Sequence, residues 1–409
     1  MKPAEILYLN PTAELGGAEY SVLDLAAALD RRRFVPLLAC LGDGPLVAAA
    51  RARAIPVMTL PVPARFARLS LKGRRSGPVG FAAAAASAAP VAWRLKAMAT
   101  RASIVHSNGN KAHVLCALAH GRARLVWHVR DFWGSGLFER LMVHLANSQV
   151  SAVIANSGAV RAHLVGMGVS ESLVQAVPNG IDGVRFSPDG PSAPLREEFG
   201  WPSTAPLVGI VGMLARWKGQ DVLLRAFADV LRSRPDARCV IVGDEIYLTS
   251  GQAGFGADLR QLVRDLGIEH AVALTGYRGD VPAILRALDV VVHASVEPEP
   301  FGRVIAEGMA CGRPVIATDA GGAPEVTGHS GTTALLVAPG DVAAMSSAIQ
   351  RLLDDRAEAD RLGAAGRQRI LSSFSVTAHV ERVQAVYERL LSSPVGYARG
   401  SRTAPSPVP

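Results

Sequence analysis

Residues 207–219 read Leu-Val-Gly-Ile-Val-Gly-Met-Leu-Ala-Arg-Trp-Lys-Gly, and this stretch decides the fold class. Its first seven residues form an apolar run of strand length. The next six are a loop, carrying Arg216 and Lys218, that leads into a helical pattern. Strand, loop and helix in that order make half of a βαβ unit, whose strands pair in parallel. The alternation recurs on both sides. Strands are expected upstream at 5–9, 34–41, 55–60, 104–106, 125–129 and 152–155, and downstream at 238–242, 271–275, 290–293, 314–318 and 335–337. The fold class is α/β, with two Rossmann-like parallel-sheet domains facing a central cleft.

A chain of 409 residues exceeds one ordinary domain. Between Ile181 and Pro206 five prolines and three glycines mark a linker. The expected organisation is a first domain over 1–182, a linker over 183–206 and a second domain over 207–375. A helix over 376–391 follows, with apolar spacing at Val380, Val383, Val386 and Leu390, and then a disordered tail over 392–409. Ligands of open parallel sheets bind beyond the C-terminal strand ends, so two such domains suit a two-substrate reaction shielded from water.

Composition narrows the classes. Apolar residues make up 49%, which excludes wholesale disorder. No apolar stretch has the length of a membrane span, and the N-terminus lacks the pattern of a secretory signal. Cys40, Cys116, Cys239 and Cys311 are scattered and read as buried thiols in a reducing compartment. A cytoplasmic protein is expected. Residues 1–182 hold 20 Lys/Arg and 10 Asp/Glu, against 23 and 25 in 183–409. The basic first half therefore expects an anionic partner, such as a phospholipid surface, a lipid diphosphate or a charged glycan. With aromatics at 5% and no recognition motif, no nucleic acid is expected.

Three constellations carry chemistry. Gly16-Gly17-Ala18-Glu19 follows the first strand and opens a helix, where backbone N–H groups can approach a phosphate. Arg216 offers a planar fork and Lys218 a point charge, a pairing suited to a diphosphate. The string Glu299-Pro300-Phe301-Gly302-Arg303-Val304-Ile305-Ala306-Glu307 brackets a helix start with two carboxylates. Carboxylates accept from the hydroxyls of a sugar or ribose, and the amides near Gly302 and Arg303 suit phosphate. Gly321-Gly322-Ala323-Pro324-Glu325 is a further glycine-rich loop at the same sheet edge.

These motifs, with Val177-Pro178-Asn179-Gly180-Ile181-Asp182, stand in an order that resembles the GT-B retaining glycosyltransferases of family 4, from about residue 5 to about residue 390. The resemblance implies an N-terminal acceptor domain, a C-terminal donor domain and a final helix crossing back to the first. It implies that Arg216 and Lys218 bind the donor diphosphate and stabilise the leaving group. Glu307 would bind the ribose, Glu299 the transferred sugar, and Gly16, Gly17, Phe301, Gly302 and Arg303 would line the donor site. It implies a catalytic role for His128 near the sugar. Many members carry an acidic residue directly after that histidine; here Val129 and Arg130 intervene before Asp131, which leaves its partner open. His106, also at a strand end, reads as structural or as part of an acceptor loop.

No Asp-x-Asp string occurs, so no metal and no cofactor are expected, and the leaving group falls to Arg216, Lys218 and helix N-termini. A UDP- or GDP-sugar is the expected donor. Arg65, Arg68, Lys72, Arg74 and Arg75, beside the apolar segment 79–93, suit docking on an anionic membrane with a lipid-linked or cell-envelope glycan acceptor. A nucleotide-sugar epimerase and a non-catalytic nucleotide-sugar binding protein stay open as alternatives, although the intact set Arg216, Lys218, Glu299 and Glu307 argues against degeneration.

Overall fold

The computed structural model describes residues 2–62, 89–245 and 254–393. Among them run two separate sheets in which every pairing is parallel. The first contains β1 (Ala4–Asn10), β2 (Phe34–Cys40), β3 (Val57–Thr59), β4 (Ile104–Asn108), β5 (Arg124–Val129), β6 (Ala152–Ala155) and β7 (Val174–Ala176), in the order β3-β2-β1-β4-β5-β6-β7. The second contains β8 (Leu207–Val211), β9 (Arg238–Val242), β10 (Val272–Gly276), β11 (Val290–Val292), β12 (Val315–Thr318) and β13 (Leu335–Val337), in the order β10-β9-β8-β11-β12-β13. Both are Rossmann-like. Every expected strand is present, most of them shifted by a residue or two at an end, and β7 is an edge strand that the sequence pattern did not reveal.

The strands are near-continuous apolar runs because helices cover both faces of each sheet. Each sheet thus divides its domain's core into two layers. In the first domain one layer holds Leu7, Val105, Leu125, Trp127 and Val153, the other Ile6, Tyr8, Ile104, Val126 and Ile154. The alternation of neighbours such as Ile6 and Leu7 between layers is the period-two geometry of a strand.

The final helix, Val376–Ser392, is capped by Ser375, whose hydroxyl accepts from Ala378 N–H. All four apolar residues of the expected stripe are buried, and they join the second layer of the first domain. The helix therefore crosses back. Its start is tied to the segment just before the linker, with Ile181 N–H donating to Phe374 O and an isolated parallel bridge between Ile181 and Ser375. The four cysteines are buried and free. No helix among the described residues is long and apolar enough to cross a membrane.

Candidate active site

In each sheet the strand order reverses once, between β1 and β4 and between β8 and β11. Such a switch point opens a crevice at the C-terminal strand ends, because the connecting chains leave toward opposite faces. Most of the described polar residues singled out by sequence, Arg216 excepted, gather at these two places, and side chains cross between the domains beside them.

At the second switch point, β8 leads to the turn Arg216–Lys218 and β11 to His293, Ser295 and Glu299. Lys218 Nζ donates to Glu299 Oε1, and Ser295 Oγ donates to the same oxygen at 2.9 Å. His293 Nε2 stands 3.4 Å from it. Thr318 holds the ring from the other side, with its N–H 3.5 Å and its hydroxyl 3.2 Å from His293 Nδ1. Burial alone would raise the Glu299 carboxyl, but Lys218 and His293 more than offset it and hold the group well below the usual carboxylate range. The glycine loop fixes this strand end. Gly322 N–H donates to Glu299 O at 2.7 Å, and Gly321, at φ +63°, passes so close that a Cβ would lie 2.2 Å from the same oxygen.

Gly302 then opens the helix Arg303–Ala310. Phe301 is buried against Phe374, so its ring anchors the segment in the core and only its backbone borders the site. Arg303 Nε donates to Glu307 Oε1 at 2.7 Å, one helical turn along. Its other nitrogens cross to the first domain, to Ser21 Oγ at 3.1 Å and Asp24 Oδ2 at 3.4 Å. Burial pushes the Glu307 carboxyl up, and Arg303 only partly opposes it. A Cβ on Gly17 would lie 3.3 Å from Arg303 Cδ, so the Arg303 side chain packs closely on this glycine. The Gly16 N–H is engaged by Glu19 Oε2 at 3.1 Å. Arg216 lies apart: it pairs with Asp258 and stacks over Phe255 on an exposed surface.

The first switch point is a buried polar network. Asn108 Nδ2 donates to Asn10 Oδ1, and Asn10 Nδ2 reaches Glu19 at 3.3 Å. Arg130, just beyond β5, donates to Asn108 Oδ1 at 2.6 Å and to Asn179 Oδ1, and its third nitrogen lies 3.2 Å from His128 Nδ1. His128 is completely buried, and among the described residues its Nε2 has no hydrogen-bond partner. His106 Nε2 lies 3.2 Å from His128 Nδ1, and His106 Nδ1 lies 2.6 Å from the Tyr387 hydroxyl. The partner of His128, left open by sequence, is thus an arginine and a second histidine.

A second contact joins the domains. Glu325, on the short helix Ala323–Thr327 that follows the glycine pair after β12, accepts from Gly158 and Ala159 N–H at 2.7 and 2.6 Å, at the start of the helix Gly158–Gly166. Sequence reasoning gave no site role to Asn10, Asp24, Asn108, Arg130, Asn179, Ser295 or Tyr387, although Arg130 and Asn179 stand within motifs it quoted. Three of them, Asn10, Asn108 and Arg130, end or directly follow an apolar strand run, which is the signal that would have found them. The expected membrane-docking residues Arg65, Arg68, Lys72, Arg74 and Arg75 lie outside the described residues. Among those residues no group of three or more His, Cys, Asp or Glu is arranged to hold a metal ion.

Comparison with known proteins agrees with this architecture. The sequence model of the family described as Glycosyltransferase Family 4 matches residues 15–185, and that described as Glycosyl transferases group 1 matches residues 192–369. The chain is 32% identical over 249 residues to the lipopolysaccharide core biosynthesis mannosyltransferase LpsB of Rhizobium meliloti, which covers 59% of this chain and 67% of that protein. It is 32% identical over 228 residues to a GDP-mannose-dependent monoacylated alpha-(1-6)-phosphatidylinositol monomannoside mannosyltransferase of Corynebacterium glutamicum, covering 54% and 57%. Such matches span about half to two thirds of the relatives' own lengths. Among solved structures, Anabaena Alr3699/HepE in complex with UDP and glucose superposes with a TM-score of 0.80 at 29% identity, over 95% of this chain and all of that one.

Proposed function

This chain belongs to the GT-B glycosyltransferases of family 4, and from that premise we propose that it moves a sugar, with retention and without a metal, from a nucleoside diphosphate onto a lipid-linked or cell-envelope glycan acceptor. The observation that carries the reading is the Lys218–Glu299 pair at the second switch point, beside a helix start whose Arg303 spans to the Gly16-Gly17 turn of the other domain. A cation, a carboxylate and helix amides within one crevice match the diphosphate and hydroxyls of such a donor.

In the proposed complex, sugar hydroxyls take Glu299 and ribose hydroxyls take Glu307. Lys218, Arg303 and the first amides of the helix Arg303–Ala310 meet the diphosphate, with Arg216 at the rim. As the bond from the anomeric carbon to the phosphate oxygen breaks, its electrons stay on that oxygen, and fixed cations stabilise the growing charge. The acceptor hydroxyl bonds the same carbon from the same face and passes its proton to the departing phosphate oxygen. The acceptor side rests on the basic character of the first half and on the relatives, two of which are by name mannosyltransferases of lipopolysaccharide core and of a phosphatidylinositol mannoside. A cytoplasmic site of action, at the inner membrane face, follows from such acceptors.

The test is a thermal-shift screen of UDP-, GDP-, ADP- and dTDP-sugars against wild type and Glu307→Ala. A donor at about 100 times its dissociation constant adds roughly 2.7 kcal/mol. Stabilisation by one donor, lost in the variant, followed by NMR of a product that keeps the donor's anomeric configuration, is the expected result. Stabilisation by none, or an inverted product, would defeat the reading.

A further inference from the structure

The hydrogen bonds around His128 have one consistent direction. Arginine only donates, so Arg130, at 3.2 Å, requires a lone pair on His128 Nδ1. His128 is neutral, because burial first and the Arg130 charge second push its imidazole well below the ordinary value. Its single ring proton is therefore on Nε2. His106 Nε2, 3.2 Å from that same lone pair, must then carry a proton and donate it. Neutral for the same reasons, His106 keeps a lone pair on Nδ1, and the Tyr387 hydroxyl donates to it at 2.6 Å. Tyr387 has spent its proton, so the Tyr8 hydroxyl, 3.0 Å away, donates in turn. All four side chains are buried.

The chain ends at His128 Nε2–H, a buried donor with no acceptor among the described residues. A carboxylate partner would have done the reverse, accepting from Nδ1 and favouring the imidazolium. We propose that Arg130 and Tyr387 are positioning residues of the transfer reaction, which hold His128, directly and through His106, as a fixed Nε2–H donor to an uncharged oxygen of the transferred sugar. The proposal rests on the transferase reading above. It makes His128 unable to act as a base, since its proton is on Nε2 and the Nδ1 lone pair is shared by two donors. It also ties the helix Val376–Ser392 to the chemistry: Tyr387 reaches the site through His106, and His379 of the same helix has its ring 5.9 Å from that of His128.

The experiment uses full-length protein labelled with ¹⁵N-histidine, with His128→Gln identifying the His128 resonances by their loss. Wild type is expected to have a protonated Nε2 and a lone-pair Nδ1 at His128. Tyr387→Phe keeps the ring and removes the hydroxyl. It is expected to fold, to change the His106 Nδ1 resonance, and to lower kcat roughly tenfold with the donor KM unchanged. Arg130→Lys, which keeps the charge but not the fork, is expected to give mixed His128 tautomers. A proton on His128 Nδ1 in wild type, or a Tyr387→Phe enzyme with wild-type kcat and spectra, overturns the proposal. If wild type turns over no donor, the transferase reading fails instead, and the ring nitrogens still decide the tautomer.

Discussion

Lowering the pH should unfold the first domain well before carboxylates matter. His113 and His379 are fully buried, and burial, followed by the Arg130 charge, pushes both imidazoles from 6.5 down to about 3. In the unfolded chain they titrate at the ordinary value. The sign follows from proton counting: below pH 6.5 the unfolded state takes up protons that the native state refuses, so stability falls as pH falls and keeps falling until the folded value is reached. Relative to pH 8, each such histidine costs about 0.8 kcal/mol at pH 6 and about 2 kcal/mol at pH 5. His106 and His128 are shifted in the same direction and add to the loss. Glu19, raised by burial, takes up its proton more readily in the native state and offsets a part. Three of the four histidines lie in the first domain and the fourth on the helix packed against it, so the effect should be local. The assay is urea unfolding at pH 8, 7, 6 and 5, read peptide by peptide by mass spectrometry after a deuterium pulse. His113→Asn, which removes the group bonded to Ser107 and stacked on Trp127, should flatten the pH dependence by about 2 kcal/mol between pH 8 and 5. Stability of the first sheet that stays level from pH 8 to 5, or a variant as pH-sensitive as wild type, would refute the reasoning.

Glu325→Ala removes the acceptor of two amides across the domain interface, a loss of about 2 kcal/mol after allowing for water at this half-buried site, or roughly thirtyfold in favour of an opened form. Distances between spin labels at Ser172 and Ala357 should lengthen, and an unchanged distribution would count against the clasp. Glu299→Gln leaves Lys218 without its counterion and should cost about 3 kcal/mol of stability. UDP or GDP, whichever nucleotide the donor screen selects, should stabilise this variant more than wild type; equal thermal shifts would argue that Lys218 does not meet the diphosphate. Gly321→Ala drives a methyl group into the Glu299 carbonyl from a left-handed backbone and should abolish transfer while costing about 2–3 kcal/mol. Transfer should survive EDTA at full rate, and a loss restored by magnesium would assign the leaving group to a metal.

Much of this was legible in the chain because the signals are local. A strand such as Val290–Val292 is a contiguous apolar run, and the string around Gly302 places both carboxylates within one loop and one helix. Strand β7 escaped because three residues between a short turn and Pro178 have neither length nor period. Arg130 and Tyr387 escaped for a different reason. Arg130 acts on Asn108, Asn179 and His128, which come from separate strand ends and meet only through the strand order β4-β5-β6-β7 and the chain beyond it. Tyr387 sits on the same helical face as Val380 and Val383, so its spacing reads as core. It is core, and the hydroxyl that distinguishes it finds its partner 281 residues away in sequence. Spacing within a segment cannot encode such a pairing.

The ion pairs at the site explain how a donor could be recognised as a whole. Lys218 is engaged by Glu299, and Arg303 by Glu307 and Asp24. A diphosphate arriving alone would have to draw Lys218 from Glu299 and leave a buried carboxylate without a cation, at a cost of several kcal/mol. A nucleoside diphosphate sugar brings replacements for both sides, hydroxyls for the carboxylates and phosphate oxygens for the cations. Binding is then an exchange, and its cost is low only when sugar, diphosphate and ribose arrive on one ligand. The exchange also runs backward after transfer. On the proposed function, once the sugar has gone to the acceptor Glu299 would lose its hydroxyl partners and compete again for Lys218, weakening the hold on the diphosphate product. On that reading, the pair that selects the intact donor would by the same chemistry release what remains of it.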